Sequence, residues 1–231
     1  MRQPNGCGIT FAVFAVIRHP GPYFVMENRD TFVQTKSCSE ALLILDMITD
    51  FEFKDGEKLF PQALEIAPNI SLLKEKAKAA DAAVIYVNDN YGRWNEDFHT
   101  YVRNVEQSSD KGRKIVETLR PEKDDMFVLK PQRSGFYATP LGVLLLSMGT
   151  SRVVVTGVTA DICVLFTAHD AYMRGFNVCV PSDCTAAING RHSRHALRFL
   201  ERIADVDISP SREVAFNGLK PAEHEKKGVP A

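Results

Sequence analysis

The residues best able to do chemistry surround a single cysteine. Residues 153–164 read VVVTGVTADICV, a β-branched run that favours a strand, followed by Gly157. From Asp161 the apolar residues repeat at three- and four-residue steps, which predicts a helix. Cys163 then lies in the first turn of that helix, where the helix dipole and unpaired backbone N–H groups favour a thiolate and a nearby oxyanion. Cys163 is therefore a candidate nucleophile, and a small core residue is the alternative.

Two further candidates follow other predicted strands. The apolar run 41–45 ends in Asp46, and the run 126–129 ends in Lys130. The carboxyl ends of parallel strands meet at one edge of a sheet, so both side chains should approach Cys163. Asp46 could accept the thiol proton, and the Lys130 ammonium would lower the thiol pKa. The alternative is an ordinary Asp–Lys ion pair beside an inert cysteine.

Strands and helices that alternate along the chain would position these residues. Predicted strands cover 41–45, 82–87, 126–129, 152–156, 177–181 and a short 206–208; predicted helices cover 62–80, 111–119, 141–148, 161–174 and 190–203. Continuous apolar strands alternating with helices indicate a parallel sheet covered on both faces. Right-handed crossovers make this a three-layer α/β/α fold with a doubly wound, mainly parallel, six-stranded sheet.

Composition fits one ordinary globular domain, which we place at 40–220. The chain has 231 residues, 45% hydrophobic and 25% charged, and a net charge of -1 gives no basic field for nucleic acid. Residues 1–39 are interpreted as an N-terminal extension of uncertain structure, and 221–231 as a loose tail. The apolar run 9–17 is too short for a bilayer and no convincing cleavage site follows it, so neither membrane insertion nor secretion is predicted.

The cysteines indicate a reducing environment. Their number is odd, at five, and no C-x-x-C pair occurs, so neither a disulfide framework nor a zinc knuckle is predicted. We therefore expect a cytoplasmic protein. Cys184, in the loop after the fifth strand, is a weaker rival to Cys163 because it lacks the helix-start context.

Taken together, five motifs resemble the isochorismatase-like cysteine hydrolase superfamily, which includes nicotinamidases, N-carbamoylsarcosine amidases and ureidoacrylate-type amidohydrolases. The motifs are LILDMITDF at 43–51, KPQRSGF at 130–136, GVTADICV at 157–164, DAYMRGF at 170–176 and DCTAA at 183–187. The resemblance covers about 40–204 in the right order and spacing. It implies the isochorismatase-like fold with the Rossmann-like strand order 3-2-1-4-5-6, and a homo-oligomer, either a dimer or a tetramer.

The resemblance also implies a catalytic triad and a mechanism. The family's Asp, Lys and Cys correspond to Asp46, Lys130 and Cys163, and a cis peptide corresponds to the Val158–Thr159 bond. The N–H groups of Thr159 and Cys163 would hold the oxyanion. Asp46 would take the thiol proton, the thiolate would attack an amide or ureido carbonyl, and water would hydrolyse the resulting thioester. Lys130 would act electrostatically.

One family feature is missing from this sequence. Nicotinamidases carry an Asp-x-His pair after the second strand, with a further histidine nearby, as metal ligands. The corresponding residues here are Asp89, Asn90 and Tyr91, and His99 alone cannot complete a zinc site. We predict no metal and no other cofactor, no true nicotinamidase activity, and a role for Asp89 in capping or bracing its loop.

Several loop residues at the active edge are candidates for contact with a small-molecule substrate. They are Phe51, Asn88, Tyr91, Trp94, Arg133, Phe136 and Tyr137. Aromatic rings there would suit a flat or apolar substrate. Arg133 could hold a carboxylate, and Asn88 with Thr159 could hydrogen-bond an amide. Packing or a plain surface charge is the alternative at each position.

These observations predict a cysteine-dependent amidohydrolase acting on a small carboxamide or ureido compound. The second hypothesis is isochorismatase proper, which cleaves a vinyl ether, but family members with that activity do not rely on a cysteine. The third is a non-catalytic ligand-binding or scaffold protein, against which the intact trio of Asp46, Lys130 and Cys163 argues.

Overall fold

The structure is a computed structural model that describes residues 37–92 and 97–217. Most of the extension predicted over 1–39, the candidate Trp94 and the tail predicted over 221–231 lie outside the described residues.

Six strands form one sheet in which every pairing is parallel. They are β1 (Glu40–Leu45), β2 (Ala83–Asp89), β3 (Met126–Lys130), β4 (Arg152–Val158), β5 (Asn177–Cys179) and β6 (Thr185–Ala186). The order is β3-β2-β1-β4-β5, and β6 pairs with β4. Every residue of the central strand β1 is buried, because helices cover both faces of the sheet. The predicted α/β fold is confirmed.

Helices lie on the two faces of this sheet. They are α1 (Gly56–Ala79), α2 (Phe98–Ser108), α3 (Asp110–Thr118), α4 (Leu141–Ser147), α5 (Leu165–Met173) and α6 (Gly190–Ala204), with a π-helical turn at Ala160–Val164 before α5. Alternate residues of β1 point to opposite faces. Leu42 and Ile44 pack with α1, α2 and α3, whereas Leu43 and Leu45 pack with α4, α5 and α6. No helix within the described ranges is long and apolar enough to cross a bilayer.

The sixth strand differs from the prediction. The segment expected at 206–208 forms only an isolated bridge between Cys179 and Asp207. The strand after β5 is instead β6, which pairs with the end of β4 through Gly157 and Thr185. Pro181 lacks the N–H needed to extend β5, and the chain turns there, with the Cys184 N–H donating to the Pro181 carbonyl. The predicted order therefore holds for five strands only.

One helix boundary and one whole helix also differ from the prediction. Helix α1 begins at Gly56 rather than near residue 62, because a side chain at Gly56 would place its Cβ 2.0 Å from the Phe51 carbonyl oxygen and only glycine fits that start. Helix α2 was not predicted. Asp97 caps it by accepting a hydrogen bond from the Thr100 N–H at 3.0 Å.

Candidate active site

Asp46 follows β1 at the carboxyl edge of the sheet. Its backbone is left-handed, with φ of 51°, a region that aspartate tolerates better than most residues. The Asp46 N–H donates to the Val87 carbonyl at 3.0 Å, and its Oδ1 accepts from the Asp89 N–H at 2.7 Å. The side chain is thus fixed from the neighbouring strand β2 and is 8% exposed.

Gly157 allows β4 to approach this position closely. Its φ is +105°, and a Cβ there would lie 2.0 Å from the Leu45 carbonyl oxygen, so no other residue fits. The next peptide bond, Val158–Thr159, is cis. The segment that precedes Cys163 therefore lies directly beside the end of β1.

Lys130 brings the trio together from the end of β3. Its ammonium nitrogen lies 2.9 Å from Asp46 Oδ2, 3.5 Å from Asp89 Oδ2 and 3.6 Å from Cys163 Sγ. The side chain is fully buried. The other two members of the trio, Asp46 and Cys163, are therefore both within contact distance of the Lys130 ammonium group.

The loop after β3 is anchored to the helix that follows Cys163. The Ser134 hydroxyl donates to the Asp170 carboxylate, and the Gly135 N–H donates to Thr167 Oγ1 at 2.9 Å. These anchors were not predicted from the sequence. The signal was present, because Ser134 and Asp170 lie in two of the motifs that carry the family resemblance.

Cys163 lies in the π-helical turn rather than in a regular α-helical turn. The Ile162 and Val164 N–H groups both donate to the Thr159 carbonyl at 3.1 Å, which closes the turn. Cys163 is partly exposed, whereas Cys179 and Cys184 are buried. Among the described cysteines, Cys163 is therefore the most accessible to a dissolved substrate.

Burial dominates the electrostatics of the trio. Burial raises the pKa of Asp46, against the opposing charge of Lys130. Burial acts to lower the pKa of Lys130, but Asp46 and Cys163 outweigh it, so that pKa is raised. Burial and the Asp46 carboxylate raise the pKa of Cys163 to about 12, more than Lys130 lowers it.

The expectation that the helix start and Lys130 would lower the pKa of Cys163 is therefore wrong. Proximity to a helix start and to Lys130 was readable from the sequence, but the depth of burial was not. A neutral Cys163 thiol must lose its proton as it attacks, and Asp46 is the adjacent acceptor.

The residues after β2 do not fit a metal site. Asp89 Oδ1 accepts the Tyr91 N–H at 2.8 Å, in line with the predicted loop-bracing role, and Asp89 Oδ2 faces Lys130. The Tyr91 hydroxyl lies 3.3 Å from Thr49 Oγ1. His99 is exposed and contacts Phe127 edge to face. Between residues 37 and 217, the described side chains contain no group of three His, Cys, Asp or Glu that could hold a metal.

Two predicted substrate contacts belong to the protein core instead. Phe51 is 1% exposed and packs edge-on against Phe60 at 5.3 Å between ring centroids. Phe136 is 5% exposed and stacks on Phe176 at 6.1 Å. Both rings anchor the loops that carry the site, which corrects the expectation that they face a substrate.

The remaining candidates for substrate contact fall into a buried group and an exposed group. Asn88 is fully buried, and its Nδ2 donates to the Ile48 carbonyl at 2.6 Å, so it braces the loop after β1. Thr159 Oγ1 is buried without a hydrogen-bond partner among the described residues. Arg133 and Tyr137 are exposed, as is part of the Tyr91 ring.

Comparisons with known proteins show which family this chain resembles. Residues 40–207 match the family model described as "Isochorismatase domain". The chain is 37% identical over 179 residues to the uncharacterized isochorismatase family protein YaaI of Bacillus subtilis (strain 168), covering 77% of this chain and 97% of that protein. It is 30% identical over 158 residues to the "Probable inactive nicotinamidase At3g16190" of Arabidopsis thaliana, covering 64% and 80% respectively.

A solved structure gives the same result. The crystal structure of N-carbamoylsarcosine amidase from Thermoplasma acidophilum matches with a TM-score of 0.58 and 26% identity, over 76% of this chain and 98% of that chain.

Proposed function

This chain belongs to the isochorismatase family, which includes amide hydrolases, and we propose that it is a cysteine-dependent amidohydrolase acting on a small carboxamide or ureido compound. The single observation that carries the proposal is the position of one buried ammonium between a carboxylate and a partly exposed thiol. Lys130 Nζ lies 2.9 Å from Asp46 and 3.6 Å from Cys163.

The chemistry follows from the protonation states. Asp46 takes the proton of the neutral Cys163 thiol as the sulfur attacks the carbonyl carbon, and Lys130 stabilises the negative charge that moves from the carboxylate to the sulfur. The tetrahedral intermediate collapses to a thioester, and the leaving amine receives the proton from Asp46. Asp46 then deprotonates the water that hydrolyses the thioester, which restores the thiol.

The raised pKa of Asp46 suits this cycle. A carboxylate with an ordinary pKa is a poor base for a thiol, and burial raises the pKa of Asp46, which makes it a stronger base. The N–H groups of Thr159 and Cys163, which flank the turn, are the proposed oxyanion donors. Loss of one such donor typically costs about 3 kcal/mol of transition-state stabilisation.

An ammonia-release screen tests the proposal. The substrates are nicotinamide, pyrazinamide, N-carbamoyl amino acids, ureidoacrylate-like compounds and maleamate. We expect turnover of at least one, and a loss of about a thousandfold or more in Cys163→Ala. Cys184→Ala is the matched control, because it removes a buried thiol that has no contact with Lys130.

Two results would count against the proposal. Equal activity of Cys163→Ala and the wild type would exclude the cysteine mechanism. No turnover of any compound, together with equal alkylation of all cysteines by iodoacetamide, would favour the non-catalytic hypothesis, which the name of the Arabidopsis relative makes worth testing.

A further inference from the structure

Lys130 is held by two carboxylates rather than one. Asp46 Oδ2 lies 2.9 Å from its nitrogen and Asp89 Oδ2 lies 3.5 Å away. The two aspartates follow adjacent strands, β1 and β2, and Asp89 is the direct register partner of Lys130 on β3. Asp89 has no part in the mechanism described above, yet it contacts the residue on which that mechanism depends.

Each polar group of Asp89 has a separate role. Its N–H donates to Asp46 Oδ1 at 2.7 Å, its Oδ1 accepts the Tyr91 N–H at 2.8 Å, and its Oδ2 faces Lys130. The side chain is 34% exposed. The carboxylate therefore connects Lys130 to the loop after β2, and the same contacts occupy the oxygens that a metal ion would need.

Carboxylates outnumber cations around Lys130. Asp46 and Asp89 are two anions that share the single ammonium of Lys130, and the Cys163 sulfur is the third group beside it. Burial of the Tyr91 hydroxyl, together with the nearby Asp46 and Asp89 carboxylates, raises the pKa of Tyr91, so the phenol stays neutral. A carboxylate that had Lys130 to itself would be held more firmly as an anion and would be a weaker base.

We propose that Asp89 is a positioning residue that acts through Lys130: it fixes the ammonium between two carboxylates and keeps Asp46 basic enough to deprotonate Cys163. The effect of Asp89 on turnover rests on the proposed amidohydrolase function. Its effect on the reactivity of the Cys163 thiol does not, because Cys163 can be alkylated without a substrate.

Asp89→Asn isolates this effect. The amide keeps an oxygen for the Tyr91 N–H, and the backbone N–H that binds Asp46 is unchanged, but the negative charge facing Lys130 is lost. Removal of a nearby anion eases ionisation of the thiol, so the Cys163 pKa should fall by about half a unit to one unit. The rate of Cys163 alkylation by iodoacetamide at pH 8–9, followed by mass spectrometry, should therefore rise about three- to tenfold.

Two controls make the measurement specific. Asp50→Asn removes a charge from the neighbouring loop, where the Asp50 carboxylate accepts the Glu52 N–H and the backbone carbonyl, unchanged in the variant, accepts the Ser109 hydroxyl; it should leave the rate within twofold of the wild type. Asp89→Glu retains the charge and should also stay close to the wild-type rate. An unchanged rate in Asp89→Asn, or an equal increase in Asp50→Asn, would overturn the proposal.

Turnover gives a second measurement. In Asp89→Asn we expect kcat to fall about tenfold and KM to stay within twofold, with partial recovery in Asp89→Glu. An unchanged kcat would overturn the proposal. So would chelator dialysis that lowers wild-type turnover to the level of Asp89→Asn, since Asp89 would then act as a metal ligand. Absence of any hydrolysis would defeat the proposed function but leave the alkylation result standing.

Discussion

The buried lysines Lys74 and Lys130 differ in how many oxygen atoms lie close to their ammonium groups. Lys74, on α1 near the amino edge of the sheet, is 5% exposed. Its ammonium nitrogen has three close oxygen partners: Asp125 at 2.7 Å, Glu122 at 3.0 Å and the Arg120 carbonyl at 2.8 Å. An ammonium has three protons to donate, so this lysine is fully satisfied.

Lys130, at the carboxyl edge, is fully buried, and among the described residues it has one such close oxygen partner, Asp46 at 2.9 Å. Its contacts to Asp89 and Cys163 are 3.5 and 3.6 Å. A buried charge with incomplete partners destabilises the fold, and it can respond to charge that develops nearby. We therefore expect Lys74 to contribute mainly to stability and Lys130 mainly to the proposed function.

Replacement of Lys130 should give the largest effect. In Lys130→Met the thiolate and the oxyanion lose their counter-charge, so we expect kcat/KM to fall by about a thousandfold or more. Stability should change little, because the Asp46 carboxyl, whose pKa is already raised, can take up a proton. Turnover assays and urea unfolding measure the two effects. A folded variant with more than a tenth of wild-type activity would contradict the comparison.

Lys74→Met should give the opposite result. It leaves Asp125, whose side chain is 1% exposed, with Lys78 at 2.9 Å as its remaining cationic partner and with the Glu122 N–H, which donates to it at 2.8 Å. The free energy of unfolding should fall by about 2–3 kcal/mol, at the low end for a broken buried pair because Lys78 compensates in part. Activity per folded molecule should be unchanged. Equal losses of activity in the two lysine variants would show that the distinction is wrong.

The smallest effect should come from Glu122→Gln. Lys78 and Lys74 lower the pKa of Glu122, so its stabilisation is present above the ordinary value of 4.5 and disappears as the pH falls below it. The side chain is 57% exposed, which limits the loss at pH 7 to less than about 1 kcal/mol. Urea unfolding should show this loss at pH 7 and a smaller loss at pH 3. A larger loss at pH 3 than at pH 7 would contradict it.

The trio of Asp46, Lys130 and Cys163 could be predicted from the sequence because the ends of apolar strands can be located in it. Asp46, Lys130 and Cys163 each follow an apolar run, and parallel pairing places such ends at one edge. Asp89 also ends a strand, and its loop-bracing role was predicted, but its contact with Lys130 was not. That contact depends on the register between β2 and β3, which the sequence does not encode locally.

Burial was the property that the sequence could not supply. Phe51 and Phe136 were expected to face a substrate, but ring direction depends on neighbours such as Phe60 and Phe176 that are distant in the chain. The predicted direction of the Cys163 pKa shift was wrong for the same reason. The two-residue strand β6 is too short to leave a periodic pattern at all.

The ties from Ser134 to Asp170 and from Gly135 to Thr167 join the loop after Lys130 to the helix after Cys163. Thermal displacement of that helix must therefore carry the loop with it, so the gap between nitrogen and sulfur should fluctuate less than either atom does alone. Because the loop after Lys130 and the helix after Cys163 are hydrogen-bonded to each other, the distance between the two reactive groups can stay constant while the surrounding surface moves.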